Sequence, residues 1–125
     1  MAGLACGEPS PIAWRVLWDS VDAFLACPDY VAAKGMRVYA TPLAGDPFVV
    51  SGESGAVTLG ALMFVTEYPQ YEGLKDYLRL GPDSQILLIN SEGNTDPDEF
   101  RRVVWEGANS VPRDYRWSPA GSRLG

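Results

Sequence analysis

The sequence predicts an α/β chain, rich in helix, with one strong parallel strand at about residues 85–90 and short accessory strands. Three observations predict it. Gln85 to Asn90 carries a continuous apolar run, Ile86-Leu87-Leu88-Ile89, after the turn residues Gly81-Pro82-Asp83-Ser84. That is the pattern of a central strand buried on both faces. Apolar residues recur at helical spacing on both sides of it. Two loops, 51–57 and 90–97, carry glycines and small polar residues and each feeds a helix.

The elements follow in order. Ser10-Pro11 opens a helix, because Ser is a good N-cap and Pro fits the first turn. Trp14, Leu17, Trp18, Val21 and Leu25 then fall on one face, with Arg15, Asp19 and Asp22 on the other. Phe24 to Cys27 reads either as the end of that face or as a short strand, since Pro28 disfavours helix at Cys27. Pro28-Asp29 starts a second helix to about Tyr39, with Val31, Ala32 and Met36 on its apolar side. Residues 41–47 form a loop rich in Pro and Gly, and Phe48-Val49-Val50 a brief strand. From Ser54 a helix runs to Pro69, apolar nearly all round, so it is buried or covers a sheet. Gln70 to Leu80 is amphipathic, with Tyr71, Leu74, Tyr77 and Leu78 inward. After the strand, Thr95 or Asp96 caps a last helix; Asp96 with Glu99 forms an acidic version of the capping box, and Pro97 takes the first helical position. Its inner stripe is Phe100, Val103 and Val104. Residues 1–108 form the folded part, and 109–125 a poorly ordered tail in which Tyr115 and Trp117 are the side chains able to dock.

A strand buried on both faces needs neighbours on both edges. The chain offers only Leu4-Ala5-Cys6, Phe24-Leu25-Ala26 and Phe48-Val49-Val50. The sequence therefore reads as part of a larger α/β domain. Its unpaired strand and over-apolar helix predict self-association of the isolated chain, a homodimer included.

Composition narrows the function. The 125 residues are 46% hydrophobic, enough for a core, and the net charge of -6 argues against nucleic acid or an anionic membrane as partner. No apolar run approaches the roughly 18 residues of a membrane span. Met1 to Gly7 lacks a basic n-region, so no secretory signal is read and a cytoplasmic protein is expected. Cys6 and Cys27 are able to pair, and the simpler reading is reduced, buried thiols. With no histidine, Ser–His and Cys–His nucleophile pairs are excluded within this chain, and no metal site is expected. Lys34 and Lys75 both fall on polar helix positions and read as solvated surface lysines.

The loop Ser51-Gly52-Glu53-Ser54-Gly55 can present N–H groups at a helix start, where the dipole favours an anion; a Gly-rich start where a backbone packs closely would look the same. It is not a Walker phosphate loop, because no Gly-Lys-Ser/Thr follows. Asn90 to Pro97 sits where open α/β sheets place ligands, yet turn chemistry and capping would also choose these residues. Glu53 and Glu92 read either as a general acid/base pair or as charges at helix starts.

Gly3-Leu4-Ala5-Cys6-Gly7-Glu8-Pro9-Ser10-Pro11-Ile12-Ala13-Trp14, Cys27-Pro28-Asp29-Tyr30-Val31-Ala32-Ala33, the 51–57 loop, and Ser91 to Pro97 followed by Arg101-Arg102-Val103-Val104-Trp105 resemble diaminopropionate ammonia-lyase. This is a family of fold-type II, pyridoxal-phosphate lyases of amino-acid metabolism, related to threonine dehydratase and the tryptophan synthase β chain. The resemblance covers about residues 2–108 and matches the C-terminal third of such an enzyme. It implies that the Schiff-base lysine, the cofactor-phosphate loop and the acid/base aspartates lie outside this chain, so that the chain alone is inactive and does not bind the cofactor covalently. The substrate implied for the full enzyme is the amino acid 2,3-diaminopropionate, converted to pyruvate and ammonia. The resemblance also implies that Glu53, Asn90, Ser91, Gly93 and Asn94 line the cofactor pocket, with position 90 beside the pyridine nitrogen. There the family reads Ser-Thr-Glu-Gly-Asp-Thr-Asp, so Asn90 replaces a hydroxyl and Asn94 an Asp. The other reading is a non-catalytic α/β module that binds a partner or small ligand through the two loops.

Overall fold

The computed structural model describes residues 1–115. After a 3-10 turn at Ala2–Leu4, Ser10 starts α1 (Pro11–Trp18): its hydroxyl accepts the Ala13 N–H at 3.3 Å and Pro11 fills the first turn. Then come α2 (Asp29–Ala40) and α3 (Glu53–Glu67), a 3-10 turn at Pro69–Tyr71 leading into α4 (Glu72–Tyr77), α5 (Pro97–Val104) and a 3-10 turn at Arg113–Tyr115. No strand forms among the described residues.

The core is the seam between α2 and α3, closed by α5. Small residues let the two backbones touch: a Cβ at Gly35 would lie 2.0 Å from the Ala56 carbonyl oxygen, and one at Gly60 2.0 Å from that of Val31. Ala32, Ala33 and Ala56 are fully buried there. From α5, Val103 packs onto Ala33, Met36 and Ala56, with Phe100, Val104 and Met1 around it. Arg37 then fastens the far end of α5, donating to the carbonyls of Val103 at 3.2 Å, Ala108 at 3.0 Å and Asn109 at 3.3 Å. The Val103 carbonyl is an orphan acceptor of the α5 end, satisfied from a neighbouring helix, and the other two belong to the segment that follows it.

An aromatic cluster covers the other end of the seam. Tyr30, Phe64, Tyr68 and Tyr71 surround Tyr115, whose carbonyl accepts from the Tyr68 hydroxyl. Lys34 enters this cluster. Its Nζ is 2.6 Å from Glu67 and 5.1 Å from the ring centres of Phe64 and Tyr68, and its side chain is only 15% exposed. Lys34 is therefore a packed, ion-paired lysine and not the solvated one predicted. Tyr115 docks, while Trp117 and the rest of 116–125 lie outside the described residues.

The principal departure is the strand. Residues 85–90 belong to no regular element, and Ile86, Leu87 and Ile89 are 46%, 86% and 68% exposed. The candidate neighbours Phe24-Leu25-Ala26 and Phe48-Val49-Val50 are irregular too, and Leu4 ends the first 3-10 turn. An apolar run becomes a strand only through a ladder, and no segment among the described residues pairs with it.

A similar reason explains α1. Its apolar face exists, yet no α1 residue is buried; Trp14 touches Trp18 and Phe24 across a surface 43–69% exposed. The predicted helix 70–80 is shorter than expected, with Tyr77 64% exposed and Arg79 at φ 54° after it. Both thiols are free, but Cys6 is exposed, not buried; Cys27 is half-buried and its pKa is pushed up by that burial. No helix of the described residues is long and apolar enough to cross a membrane.

Candidate functional site: the interlocked loops 51–54 and 90–96

The two loops singled out in the sequence lie against each other. Asn90 makes the first lock. Its Nδ2 donates to the Val50 carbonyl at 3.0 Å, and its Oδ1 accepts from the Ser51 hydroxyl at 2.9 Å. Ser51 is 1% exposed beneath it. Only glycine fits at position 55, where a Cβ would stand 2.0 Å from Asn90 Oδ1 and 2.6 Å from Ser51 Oγ.

Glu92 makes the second lock. The Gly52 N–H donates to its carbonyl at 2.9 Å. Its carboxylate accepts the Ser54 N–H at 2.8 Å on one oxygen and the Thr95 hydroxyl at 2.7 Å on the other. Those bonds, Thr95's first, hold the Glu92 pKa below the usual carboxylate range. Gly52 at the N-cap has no side chain to cap α3, so a carboxylate from the other loop does it.

Glu53 sits in the first turn of α3 and is 8% exposed. It accepts the Gly3 N–H at 3.0 Å, and the Ser54 hydroxyl donates to the Gly3 carbonyl at 3.2 Å. Burial pushes its pKa up, against the opposing effect of the Gly3 bond. The N-terminal turn thus forms one wall of the site, and the Met1 ammonium pairs with Asp29 at 3.1 Å. At the start of α5, Asp96 accepts the Glu99 N–H at 3.0 Å as predicted. The reciprocal half of the capping box is replaced: Glu99 grips Arg102 at 2.8 and 3.0 Å.

Between these elements lies a cavity of about 230 Å³ lined by Gly3, Gly52, Glu53, Glu92, Gly93, Asn94, Thr95, Asp96 and Glu99, with Met36 and Phe100 as its apolar part. Of the predicted site residues it gathers Glu53, Gly93 and Asn94. Asn90 stands outside it, committed to the 50–52 loop, and Ser91 is exposed between the two locks. Neither lysine lines it. At the start of α3 the anion beside the Ser54 N–H is the Glu92 carboxylate of the chain itself. Glu53, Glu92, Asp96 and Glu99 make the cavity acidic, and a phosphate dianion is unsuited to it. Glu53 and Glu92 are shifted in opposite directions, the pKa of the first raised by burial and that of the second lowered by its hydrogen bonds.

Sequence reasoning passed over Ser51 and Gly3 as working parts, and it offered Thr95 as an alternative to Asp96 for the α5 cap; Asp96 makes that cap and Thr95 holds Glu92 instead. Gly3 acts through its backbone, which leaves no mark on composition.

No family model matches the chain. It is 50% identical over 111 residues to diaminopropionate ammonia-lyase of Escherichia coli strain K12, covering 89% of this chain and 28% of that protein. The enzyme of the same name from Salmonella typhimurium is 42% identical over 111 residues, again 28% of its length. The crystal structure of the Escherichia coli enzyme in complex with D-serine superposes with TM-score 0.83 at 49% identity, over 90% of this chain and 29% of that one. Its complex with an aminoacrylate-PLP azomethine reaction intermediate gives the same TM-score and identity. The chain spans a little over a quarter of the length of the curated relatives it matches. Half identical along 89% of its length, and following the same backbone path, the chain is similar to one segment of the diaminopropionate ammonia-lyase fold.

Proposed function

We propose that the chain is the C-terminal part of a fold-type II, pyridoxal-phosphate-dependent lyase that converts 2,3-diaminopropionate to pyruvate and ammonia, and that it is inactive alone. The observation that carries this reading is the double lock between loops 51–54 and 90–95, a rigid, glycine-backed edge of the kind an enzyme needs for a ligand wall, in a chain half identical to enzymes of that name.

The residues present do not by themselves fit the cofactor. Lys34 is held by Glu67 and two rings, the Ser54 N–H at the α3 start is taken by Glu92, and the nearby cavity is acidic. Among the described residues no lysine or arginine lines the cavity to meet the cofactor's aldehyde or phosphate, and we assign its anchoring to the part of the enzyme fold outside the matched segment. The role left to Ser91, Gly93 and Asn94, whose side chains or backbone are exposed, is to line the pocket edge. Glu53 and Asn90 support that edge from behind through Gly3 and the 50–52 loop.

The test is a chimera in which this chain replaces the matching segment of the Escherichia coli enzyme. Pyruvate release from 2,3-diaminopropionate is expected. A folded chimera that binds pyridoxal phosphate but releases no pyruvate overturns the reading in favour of a non-catalytic module.

A further inference from the structure

We infer that residues 109–115 form a releasable strap over one face of α2, and that this strap conceals the Lys34 amine, a modification site that opens to acyl donors when Tyr115 lifts out of the aromatic cluster. The inference stands independently of the lyase reading.

The face of α2 that the strap follows is Tyr30, Lys34 and Arg37, in line along the helix at four- and three-residue spacing. Arg37 holds the root of the strap through the carbonyls of Ala108 and Asn109, at 3.0 and 3.3 Å. Gly107 and Asn109, at φ 74° and 52°, turn the chain out of α5. Tyr30 meets the tip, its ring stacked with that of Tyr115 at 6.1 Å. The strap therefore runs toward the N-terminus of α2, and Lys34 stands between its two anchor points.

Lys34 is tied to the strap by a relay through Tyr68. Lys34 Nζ donates to the Tyr68 hydroxyl at 3.3 Å, and that hydroxyl donates its own proton to the Tyr115 carbonyl. The strap thereby leaves a Tyr68 lone pair for the ammonium. Tyr115 also packs on Phe64 and Tyr68, at 5.3 and 5.2 Å between ring centres, the two rings that meet Lys34 Nζ. With the strap down, the Lys34 side chain is 15% exposed. With it lifted, the Tyr68 hydroxyl turns to water and both rings lose cover. The remaining hold is the pair with Glu67, itself 39% exposed, and such an exposed pair holds weakly.

The strap can lift without the seam. None of residues 109–115 is buried, whereas α2 and α3 meet backbone to backbone at Gly35 and Gly60. A segment held by a few hydrogen bonds and ring contacts opens at lower free energy than the whole fold.

The experiment is acetylation of the full 125-residue chain with the N-hydroxysuccinimide ester of acetic acid, read by peptide mapping. The amine attacks the ester carbonyl, N-hydroxysuccinimide leaves, and the ammonium proton passes to buffer. Lys34 and Lys75 are the two lysines, so Lys75 on α4 is the internal standard. Lys34 is expected to react roughly 10-fold or more slowly than Lys75 in the parent chain. Tyr115→Ala is expected to raise the Lys34 rate roughly 10-fold with Lys75 unchanged. Tyr115→Phe keeps the ring and is expected to leave Lys34 slow. A parent in which Lys34 reacts as fast as Lys75, or an alanine variant in which Lys34 stays slow, overturns the inference. A second measurement covers an alanine variant that fails to fold: the parent is acetylated in rising urea. Release of Lys34 below the global unfolding midpoint supports the strap, and release that only follows the global transition overturns it.

Discussion

Glu92 caps helix α3 from a loop 38 residues away in sequence, accepting the Ser54 N–H at 2.8 Å while Thr95 holds the other carboxylate oxygen at 2.7 Å. A through-space cap ties the entry of α3 to the position of the 90–96 loop, so the two loops form or fail together. Glu92→Ala is expected to cost about 1 kcal/mol, the usual worth of a lost N-cap. Urea unfolding at pH 7 measures it, and an unchanged midpoint would show that the cap contributes nothing.

The pH dependence separates Glu92 from its neighbour Glu53. The folded pKa of Glu92 is lowered, so its contribution is complete above its unfolded pKa, near 4.5, and is lost as pH falls through the lower folded value. The folded pKa of Glu53 is raised by burial, so its charged form opposes folding above that folded value, and the penalty disappears below the unfolded pKa. Glu53→Gln is therefore expected to be neutral or stabilising at pH 7 and to converge with the parent at acid pH. Glu92→Gln is expected to be destabilising at pH 7, with the difference shrinking on acidification. Denaturation midpoints from pH 3 to 8 for the two variants test the opposite signs.

Asn90→Ser restores the residue type the family pattern shows, and the geometry predicts a local cost for it. A serine hydroxyl is too short to reach both the Val50 carbonyl and Ser51, now at 3.0 and 2.9 Å. A loss of about 1 kcal/mol is expected, one net hydrogen bond, with faster exchange of the amides of residues 50–52. Equal stability and equal exchange would mean that the lock is made by other contacts.

The α2–α3 seam tolerates no side chain at its two glycines. Gly35→Ala or Gly60→Ala places a methyl 2.0 Å from a backbone oxygen, which cannot rotate away. Each is expected to cost about 1–3 kcal/mol or more. Gly73, in α4, has nothing within 4 Å of its would-be Cβ. Gly73→Ala is expected to gain about 0.5–1 kcal/mol from the helix. Thermal melts of the three variants side by side check the contrast.

Lys34 is not available as an imine-forming lysine in the isolated chain, because forming one would abandon Glu67 at 2.6 Å and both ring faces. Pyridoxal phosphate followed by borohydride reduction and peptide mapping is expected to leave Lys34 without a stoichiometric label. A full label there would mean that the aromatic cluster opens readily.

The amino-acid sequence by itself determined where the helices start and which enzymes the chain resembles. Ser10, Asp29, Ser54 and Asp96 mark helix starts within a residue of where α1, α2, α3 and α5 begin, because capping and i→i+4 bonds join neighbours in the chain. The order and spacing of short motifs, from Gly3 to Trp105, pointed to the lyase family in the same local way. What only the tertiary structure decided involves partners distant in sequence. Ile86 to Ile89 has every local property of a strand and is exposed, because a ladder needs a second segment at hydrogen-bonding distance. The tryptophan face of α1 is amphipathic and uncovered for the same reason. Lys34 looked solvated from its helix position, but α3 brings Glu67 and two rings to it. The role of Glu92 was open between catalysis and a helix-start charge, and it caps a helix that begins 39 residues earlier. Local bonds are written in the order of residues; burial, ladders and through-space caps depend on which surfaces the fold brings together.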